Sequence, residues 1–232
     1  MTARHERNHE QAGKQLADRR KAEAEAAGKV AGIEYQVLDN PDGQLVPGLE
    51  QRWEMLRLIR GFRPDLILTH RPNDYHPDHR YTSQLVQDCS YLVGVPNICP
   101  DTPRLEEAPV IAYFSDDFQK PLPFKADVAV DIDAVLEMKI QMLACHASQF
   151  YEWLPWIDRH GIEMPKEPEK RLAALGRFAS LFSKPSEEVR EFLKRNYGDG
   201  RGSAIRNAES FEACEYGAPL DGDAIRRLFP IL

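Results

Sequence analysis

The fold is decided by residues 63–80, which read RPDLILTHRPNDYHPDHR. Residues 66–68 form a short continuous apolar run, as in a strand buried within a parallel sheet. Pro77 suits the first position of a helix, which makes His76 the N-cap of that helix. The stretch therefore predicts a strand, a loop and a helix in succession. In open α/β sheets ligands bind beyond the carboxyl ends of the strands, so the loop is where chemistry is expected.

The rest of the chain continues this alternation. We expect helices over about residues 16–31, 49–59, 77–93 and 136–147, and further helices that begin near Pro168 and Ser186. Gly32 should end the first helix, and Asp133 should cap the fourth. We expect further strands at residues 33–37, 110–114 and 128–130, and a Gly-rich, polar surface loop at 198–217. Strands separated by helices predict an α/β fold with a mostly parallel sheet.

The composition is that of a globular protein without a polyanionic partner. The 232 residues carry 30 Lys and Arg against 37 Asp and Glu, a formal net charge of -7, and show no basic stripe for nucleic acid. The four cysteines form no CxxC pair, which favours reduced thiols over a zinc ribbon. The polar start and the lack of an apolar stretch of ~20 residues predict a cytoplasmic protein without a membrane span. Assembly into a homo-oligomer stays open.

The loop concentrates groups that bind metal ions or move protons. Three of the seven histidines, His70, His76 and His79, lie in or next to it, together with Asp74 and Asp78. His76 and His79 are three residues apart across a helix start, so both side chains can face one site. Imidazole is a favoured zinc ligand, and a carboxylate such as that of Asp78 can hold a neighbouring imidazole in one tautomer.

Two interpretations of this loop stay open from the residues alone. Spacing offers Asp74, His76 and His79 as a ligand set, but catalytic zinc sites usually draw ligands from separated segments, so further ligands are expected elsewhere. In the other interpretation His76 only caps the helix, and Asp78 interacts favourably with the helix dipole.

Other candidate residues are weaker. His146 ends a helix, where interaction with the helix dipole is the more ordinary role. Residues 151–156, which read YEWLPW, could stack on a sugar ring, although aromatic side chains more often pack in a core. Arg20 and Glu23 are three residues apart on the first helix, which by itself predicts a surface ion pair.

Several of these segments resemble the PIG-L (LmbE-like) deacetylases. The resemblance rests on residues 63–80 with their His-Pro-Asp-His element, on RKAEA at residues 20–24, and on residues 139–149, which end in HASQ. It extends over nearly the whole chain. It implies a Rossmann-like three-layer α/β fold. It also implies a zinc-dependent hydrolase that removes the N-acetyl group from an N-acetylglucosamine-type amino-sugar conjugate.

The resemblance also implies a role for individual residues. His79 would be a zinc ligand, and His76 would stabilise the tetrahedral oxyanion or protonate the leaving amine. Asp78 would orient His76. Arg20 would match the arginine that contacts the substrate, and Asp74 would be a residue of the substrate pocket. The implied cofactor is one Zn²⁺ ion, and the implied partner is a small amino-sugar molecule.

The sequence departs from the family at its start. The family opens with a strand that ends in Ala-His-Pro-Asp-Asp, which supplies the other zinc ligands and the general-base aspartate, and residues 1–232 contain no such motif. We therefore expect a single deacetylase domain over residues 1–232 that lacks the family's N-terminal strand, helix and strand. The remaining zinc ligands would come from that missing segment.

Two other functions stay open at this point. One is a catalytically inactive remnant or binding protein of the same fold, because His79 alone cannot hold zinc tightly. The other is a different metallohydrolase such as a phosphoesterase, although such enzymes commonly use two metals and more carboxylates than this loop offers.

Overall fold

The computed structural model describes residues 2–4, 13–157 and 164–231. The helices in it are α1 Gly13–Ala31, α2 Leu49–Phe62, α3 Pro77–Leu92, α4 Leu136–Cys145, α5 Leu154–Ile157, α6 Pro168–Phe182, α7 Glu187–Tyr197, α8 Asp199–Ala204 and α9 Gly222–Leu228. A 3₁₀ turn precedes α4 at Asp133–Val135, and a π-helical segment follows it at Ser148–Trp153. The strands are β1 Thr2–Arg4, β2 Asn40–Pro41, β3 Leu66–Thr69, β4 Val110–Phe114, β5 Val128–Asp131 and β6 Ala208–Ala213. No helix of this described part is long and apolar enough to cross a membrane.

The predicted α/β class is confirmed, and the main sheet is mixed. Its four strands lie in the order β3-β4-β6-β5, while β1 and β2 form a separate parallel pair. β3 runs parallel to β4, with Leu66 opposite Val110, and β6 runs antiparallel to β4, with Phe211 opposite Phe114. The strand predicted at residues 66–68 is present, but its predicted burial is wrong, because β3 is an outer strand and Leu68 is 37% exposed. β3 leads directly into the loop where the sequence predicts chemistry.

The chain divides into two compact units. The helical unit comprises residues 1–44, 132–185 and 206–208, and the sheet unit comprises residues 45–131, 186–205 and 209–232. The organisation of residues 1–232 as a single domain stays a prediction.

The core of the sheet unit lies between the sheet and helices α2 and α3. Apolar side chains of both helices line this core, although Leu49 at the start of α2 is 58% exposed. Each core side chain contributes roughly 1.5–3 kcal/mol by leaving water. The fully buried members of the core include Leu56 of α2, Leu85 and Cys89 of α3, and Ile111 of β4.

In the helical unit, α1 packs against α4, and α4 packs against α6. Gly32 ends α1 as predicted, with a φ of 67° that a residue with a side chain rarely adopts. The strand predicted at residues 33–37 is wrong. This segment forms no strand, and Ile33 and Tyr35 are 53% and 42% exposed. The alternation there reflects a segment that crosses α1, where Gly28 leaves room for the Ile33 carbonyl oxygen.

Two further local expectations are wrong. Asp133 does not cap α4, because its carboxylate accepts hydrogen bonds from the backbone N–H groups of Arg206 and Asn207, at 3.0 and 2.8 Å. The surface loop predicted at residues 198–217 contains α8 and β6 instead. Phe211 in β6 is only 5% exposed, because β6 is an inner strand of the sheet.

Arg60 is a fully buried cation that organises the end of α3. Its side chain is 2% exposed, yet its guanidinium donates to the backbone carbonyls of residues 92, 93, 95, 98, 99 and 102 at 2.7–3.1 Å. These carbonyls belong to the last turn of α3 and to the segment after it, where helical partners run out. One side chain thus donates to six buried or half-buried carbonyls, of which those of residues 92, 93, 95 and 99 also accept from backbone N–H groups.

Replacing Arg60 by methionine should lower the free energy of unfolding by on the order of 3 kcal/mol or more, because several buried carbonyls lose their donors together. Urea unfolding followed by circular dichroism measures the loss. The matched control is Arg57→Met on the same helix, because Arg57 is largely exposed and pairs with the exposed Asp101. We expect the control to unfold at nearly the wild-type urea concentration. Equal stability of Arg60→Met and wild type would contradict the organising role.

Candidate active site

The candidate site lies where β3 passes through residues 70–76 into α3. Because β3 runs parallel to β4, its carboxyl end opens at the side of the sheet where ligands bind in α/β folds. Strand, loop and helix all belong to the sheet unit. One local piece of the fold therefore brings together four of the predicted site residues, which are Asp74, His76, Asp78 and His79.

His76 caps α3, as predicted. Its backbone is extended (φ −94°, ψ 131°), Pro77 follows it, and its Nδ1 accepts a hydrogen bond from the backbone N–H of Asp78 at 3.1 Å. The residue is 2% exposed. Because the Nδ1 lone pair accepts this bond, a neutral His76 carries its proton on Nε2. The cap thus makes His76 a hydrogen-bond donor at Nε2.

Asp74 contacts both of the histidines that follow it. Its Oδ1 accepts from the backbone N–H of His76 at 2.8 Å and lies 2.9 Å from Nδ1 of His79. Its backbone carbonyl accepts from the guanidinium of Arg80 at 2.7 Å. Burial raises the pKa of Asp74, but the hydrogen bonds from His79 and His76 outweigh burial, so that the pKa lies below its ordinary value. Asp74 is therefore ionised at neutral pH.

The three imidazoles of this region lie against one another. The rings of His70 and His79 are stacked, with centroids 4.0 Å apart and planes inclined by 4°, and the centroid of His76 lies 4.8 Å from that of His79. Burial, and after it the neighbouring His79, lower the pKa of His70 to about 4. His70 is therefore neutral at pH 7 and can stack on His79 without charge repulsion.

The donor groups around His79 fit a divalent metal ion. His70, Asp74 and His79 each offer one ligand atom, and these atoms lie within 4.8 Å of one another. Two imidazoles and a carboxylate are donors that zinc takes. Two parallel rings cannot both direct their in-plane lone pairs at one ion, so only one of the stacked imidazoles can bind in this arrangement. The role of His79 as the zinc ligand fits these donors and stays a prediction.

Asp78 joins the first turn of α3 to the segment before α2. Its backbone N–H forms the cap with His76, and its carboxylate accepts from the backbone N–H of Leu45 at 3.2 Å. The residue is 1% exposed. The contact with His76 therefore runs through the backbone of Asp78, and the orienting role of its carboxylate stays a prediction.

Arg71 is a buried cation next to the site that the sequence analysis missed. Its guanidinium contacts Glu212 of β6 at 2.6 Å and Asp116 at 2.9 Å, and it donates to the carbonyl of Leu122 at 3.0 Å. These contacts attach Arg71, which directly follows His70, to β6 and to the segment after β4. The side chain is 5% exposed. No local pattern could have revealed it, because the two carboxylates lie 141 and 45 residues away in the chain.

Arg20, the predicted substrate contact, belongs to the helical unit. Its guanidinium faces the side-chain amide of Gln149. Hydrogen bonding orients this amide so that its oxygen accepts from Arg20. Nearby, the buried Glu23 accepts from the N–H and Oγ of Ser148 at 2.9 and 2.6 Å. Burial lowers the pKa of His146, and Glu23 opposes that shift. The RKAEA and HASQ segments thus meet within one unit, while substrate binding by Arg20 stays a prediction.

Comparisons with known proteins relate the site region to one family. Residues 2–90 match the family model described as PIG-L: GlcNAc-PI de-N-acetylase. The match includes β3, the loop and most of α3, and therefore His76 and His79.

Two relatives match longer stretches. The diacetylchitobiose deacetylase of Thermococcus kodakarensis is 30% identical over 63% of this chain and 56% of its own length. The 4-oxalmesaconate hydratase of Pseudomonas putida is 23% identical over 59% of this chain and 53% of its own length. The chain thus spans about half the length of these relatives.

A solved structure shares the fold. The 4-carboxy-2-hydroxymuconate hydratase of Pseudomonas putida superposes with a TM-score of 0.62 at 21% identity, covering 89% of this chain and 75% of that one. The likeness shows the fold, on which different chemistries can be built.

The low pKa of His70 predicts a loss of stability in acid. In the unfolded chain the imidazole takes up its proton near pH 6.5, whereas in the folded protein it does so near pH 4. Acidification between these values therefore favours the unfolded state. We expect the unfolding free energy to fall from pH 6.5 to 4 more steeply in wild type than in His70→Gln, measured by urea unfolding. An NMR titration that places His70 near 6.5 would contradict this assignment.

Proposed function

We propose that the protein is a zinc-dependent hydrolase that removes the N-acetyl group from an N-acetylglucosamine-type amino-sugar conjugate, because residues 2–90 match the PIG-L family model. The observation that carries the proposal is the pair His76 and His79 at the start of α3, where Asp74 contacts both residues. The 30% identity to a diacetylchitobiose deacetylase supports the choice of an acetylated amino sugar.

Hydrolysis of an amide requires a more electrophilic carbonyl carbon and a stronger nucleophile than water. Zinc held by His79 would supply both, since it would polarise the carbonyl and lower the pKa of a bound water. In this proposal His79 is the residue of the loop that holds the ion. Asp74 lies at the Nδ1 of His79, so the Nε2 is the nitrogen that faces away from that carboxylate.

His76 is the group that meets the developing negative charge. As water adds to the acetamide, the carbonyl oxygen becomes an oxyanion, and a fixed donor in a site shielded from water stabilises it strongly. The Nε2–H of His76 is that donor, because the helix cap occupies Nδ1. An imidazolium carries a proton on both nitrogens and could not accept at Nδ1. The cap therefore favours the oxyanion-stabilising role over proton donation to the leaving amine.

The remaining predicted residues complete the proposal. Arg20 contacts the substrate, Asp78 orients His76, and Asp74, which contacts both histidines, belongs to the substrate pocket. The four cysteines are free thiols, as in proteins of reducing compartments, which supports a cytoplasmic location.

A second candidate is a hydratase that adds water to an unsaturated carboxylic acid. The match to a 4-oxalmesaconate hydratase favours it. A neutral imidazole donor and a metal ligand suit either reaction, since both add water beside an oxygen that gains negative charge. The two candidates are therefore separated by their substrates.

The experiment is to incubate the 232-residue protein with Zn²⁺ and diacetylchitobiose and to measure released acetate and free amine. Zinc is kept in excess, because His79 alone does not hold zinc tightly. We expect turnover that a chelator abolishes. His76→Ala should lower kcat by at least about 100-fold through loss of the oxyanion donor, and His79→Ala should abolish turnover together with zinc binding. The matched control is Tyr91→Ala, because Tyr91 lies on the same helix and is 81% exposed. Its turnover should equal that of wild type.

Three results would contradict the proposal, each in a different way. Consumption of an unsaturated carboxylic acid, seen as loss of ultraviolet absorbance without acetate release, would favour the hydratase. Hydrolysis of phosphate esters alone would indicate a phosphoesterase. A folded protein that binds neither zinc nor the deacetylated sugar, and that turns over none of these substrates, would indicate a catalytically inactive protein of the same fold.

A further inference from the structure

We propose that Asp74 is a positioning residue that holds His79 in the tautomer with its proton on Nδ1, so that Nε2 presents the lone pair to the site. The distance carries the inference, because Oδ1 of Asp74 lies 2.9 Å from Nδ1 of His79. An ionised carboxylate has no proton to donate, so the hydrogen in this contact belongs to the imidazole. The role of Nε2 toward a metal rests on the proposed function, whereas the tautomer does not.

Asp74 is itself held in place through its side chain and through its backbone. The same Oδ1 accepts the backbone N–H of His76 at 2.8 Å, and the backbone carbonyl of Asp74 accepts from Arg80 at 2.7 Å. The side chain of Asp74 is 12% exposed, which protects these bonds from competition by water. The carboxylate that orients His79 is therefore itself fixed to the backbone at the start of α3.

This arrangement gives Asp74 a role in addition to its proposed place in the substrate pocket. Metal-binding histidines commonly donate their second N–H to a carboxylate, which fixes the ring and increases its basicity, and loss of that partner typically lowers metal affinity 10–100-fold. Because Oδ1 already accepts from two N–H groups, we assign this oxygen to the positioning of His79. The His70 ring is stacked on a face of the same imidazole and restricts its rotation further.

The test uses the metal-free protein labelled with ¹⁵N at histidine. Long-range ¹H–¹⁵N correlation spectra at pH 7.5 report which ring nitrogen carries the proton. We expect His79 as the Nδ1–H tautomer in wild type and a shift toward Nε2–H in Asp74→Ala. Asp74→Asn keeps an oxygen acceptor without the charge, so it should retain most of the Nδ1–H form.

Zinc affinity, measured by competition with a chelator, gives a second readout. Asp74→Ala should bind zinc 10–100-fold more weakly than wild type, and Asp74→Asn should lose less. The matched control is Asp88→Ala, which removes another carboxylate of α3 that pairs with Arg52 at 2.7 Å. Its His79 tautomer and zinc affinity should equal those of wild type, and circular dichroism confirms that each variant is folded.

The outcomes separate this inference from the proposed function. An Nε2–H form of His79 in wild type, or an unchanged Nδ1–H form in Asp74→Ala, overturns the positioning role. If Asp74→Asn loses zinc as completely as His79→Ala, Asp74 is a ligand and the positioning role is likewise overturned. A tautomer that depends on Asp74 in a protein that hydrolyses no acetamide supports the positioning role while the proposed function fails.

Discussion

The candidate site depends on how the first turn of α3 satisfies its backbone N–H groups. A helix leaves its first N–H groups without helical partners, and a short polar side chain usually accepts from them. Here the imidazole of His76 accepts one and the carboxylate of Asp74 accepts the N–H of His76 itself. Capping and the proposed chemistry therefore use the same side chain, because the bond at Nδ1 leaves the proton of a neutral His76 on Nε2. A capping role and a functional role do not exclude each other at this position.

The opposite end of α3 is fixed by a different device. The guanidinium of Arg60 gathers the carbonyls of the last turn and of the segment that follows it. Between these ends the buried stripe of α3 packs into the core of the sheet unit. The imidazoles at the start of α3 thus stand on a helix that is restrained along its length, which suits a site whose geometry must hold within fractions of an ångström.

Local signals were enough to predict the part of the fold that carries the site. The apolar run of β3, Pro77 after a polar residue, and Gly32 at the end of α1 each act within a few residues, and the structure has the strand, the cap and the helix end at these places. The run did not predict the burial of β3, because burial depends on which strands flank it. Features that depend on distant partners were not predictable. Residues 208–213 include three polar residues among six and become a strand because β4 pairs with them, and the carboxylates that hold Arg71 lie far along the chain. The contact of Asp74 with two histidines likewise needed coordinates, because spacing does not show which nitrogen faces which oxygen.

The strand order determines where a further strand could add to the sheet. β3 and β5 are its outer strands, and an outer strand offers backbone N–H and C=O groups for pairing with a further strand. Leu68 of β3 is 37% exposed. A strand that joined β3 in parallel, from this polypeptide or from another, would place its own carboxyl end beside residues 70–76. Extension of the sheet at that side would therefore deliver new side chains to the three imidazoles.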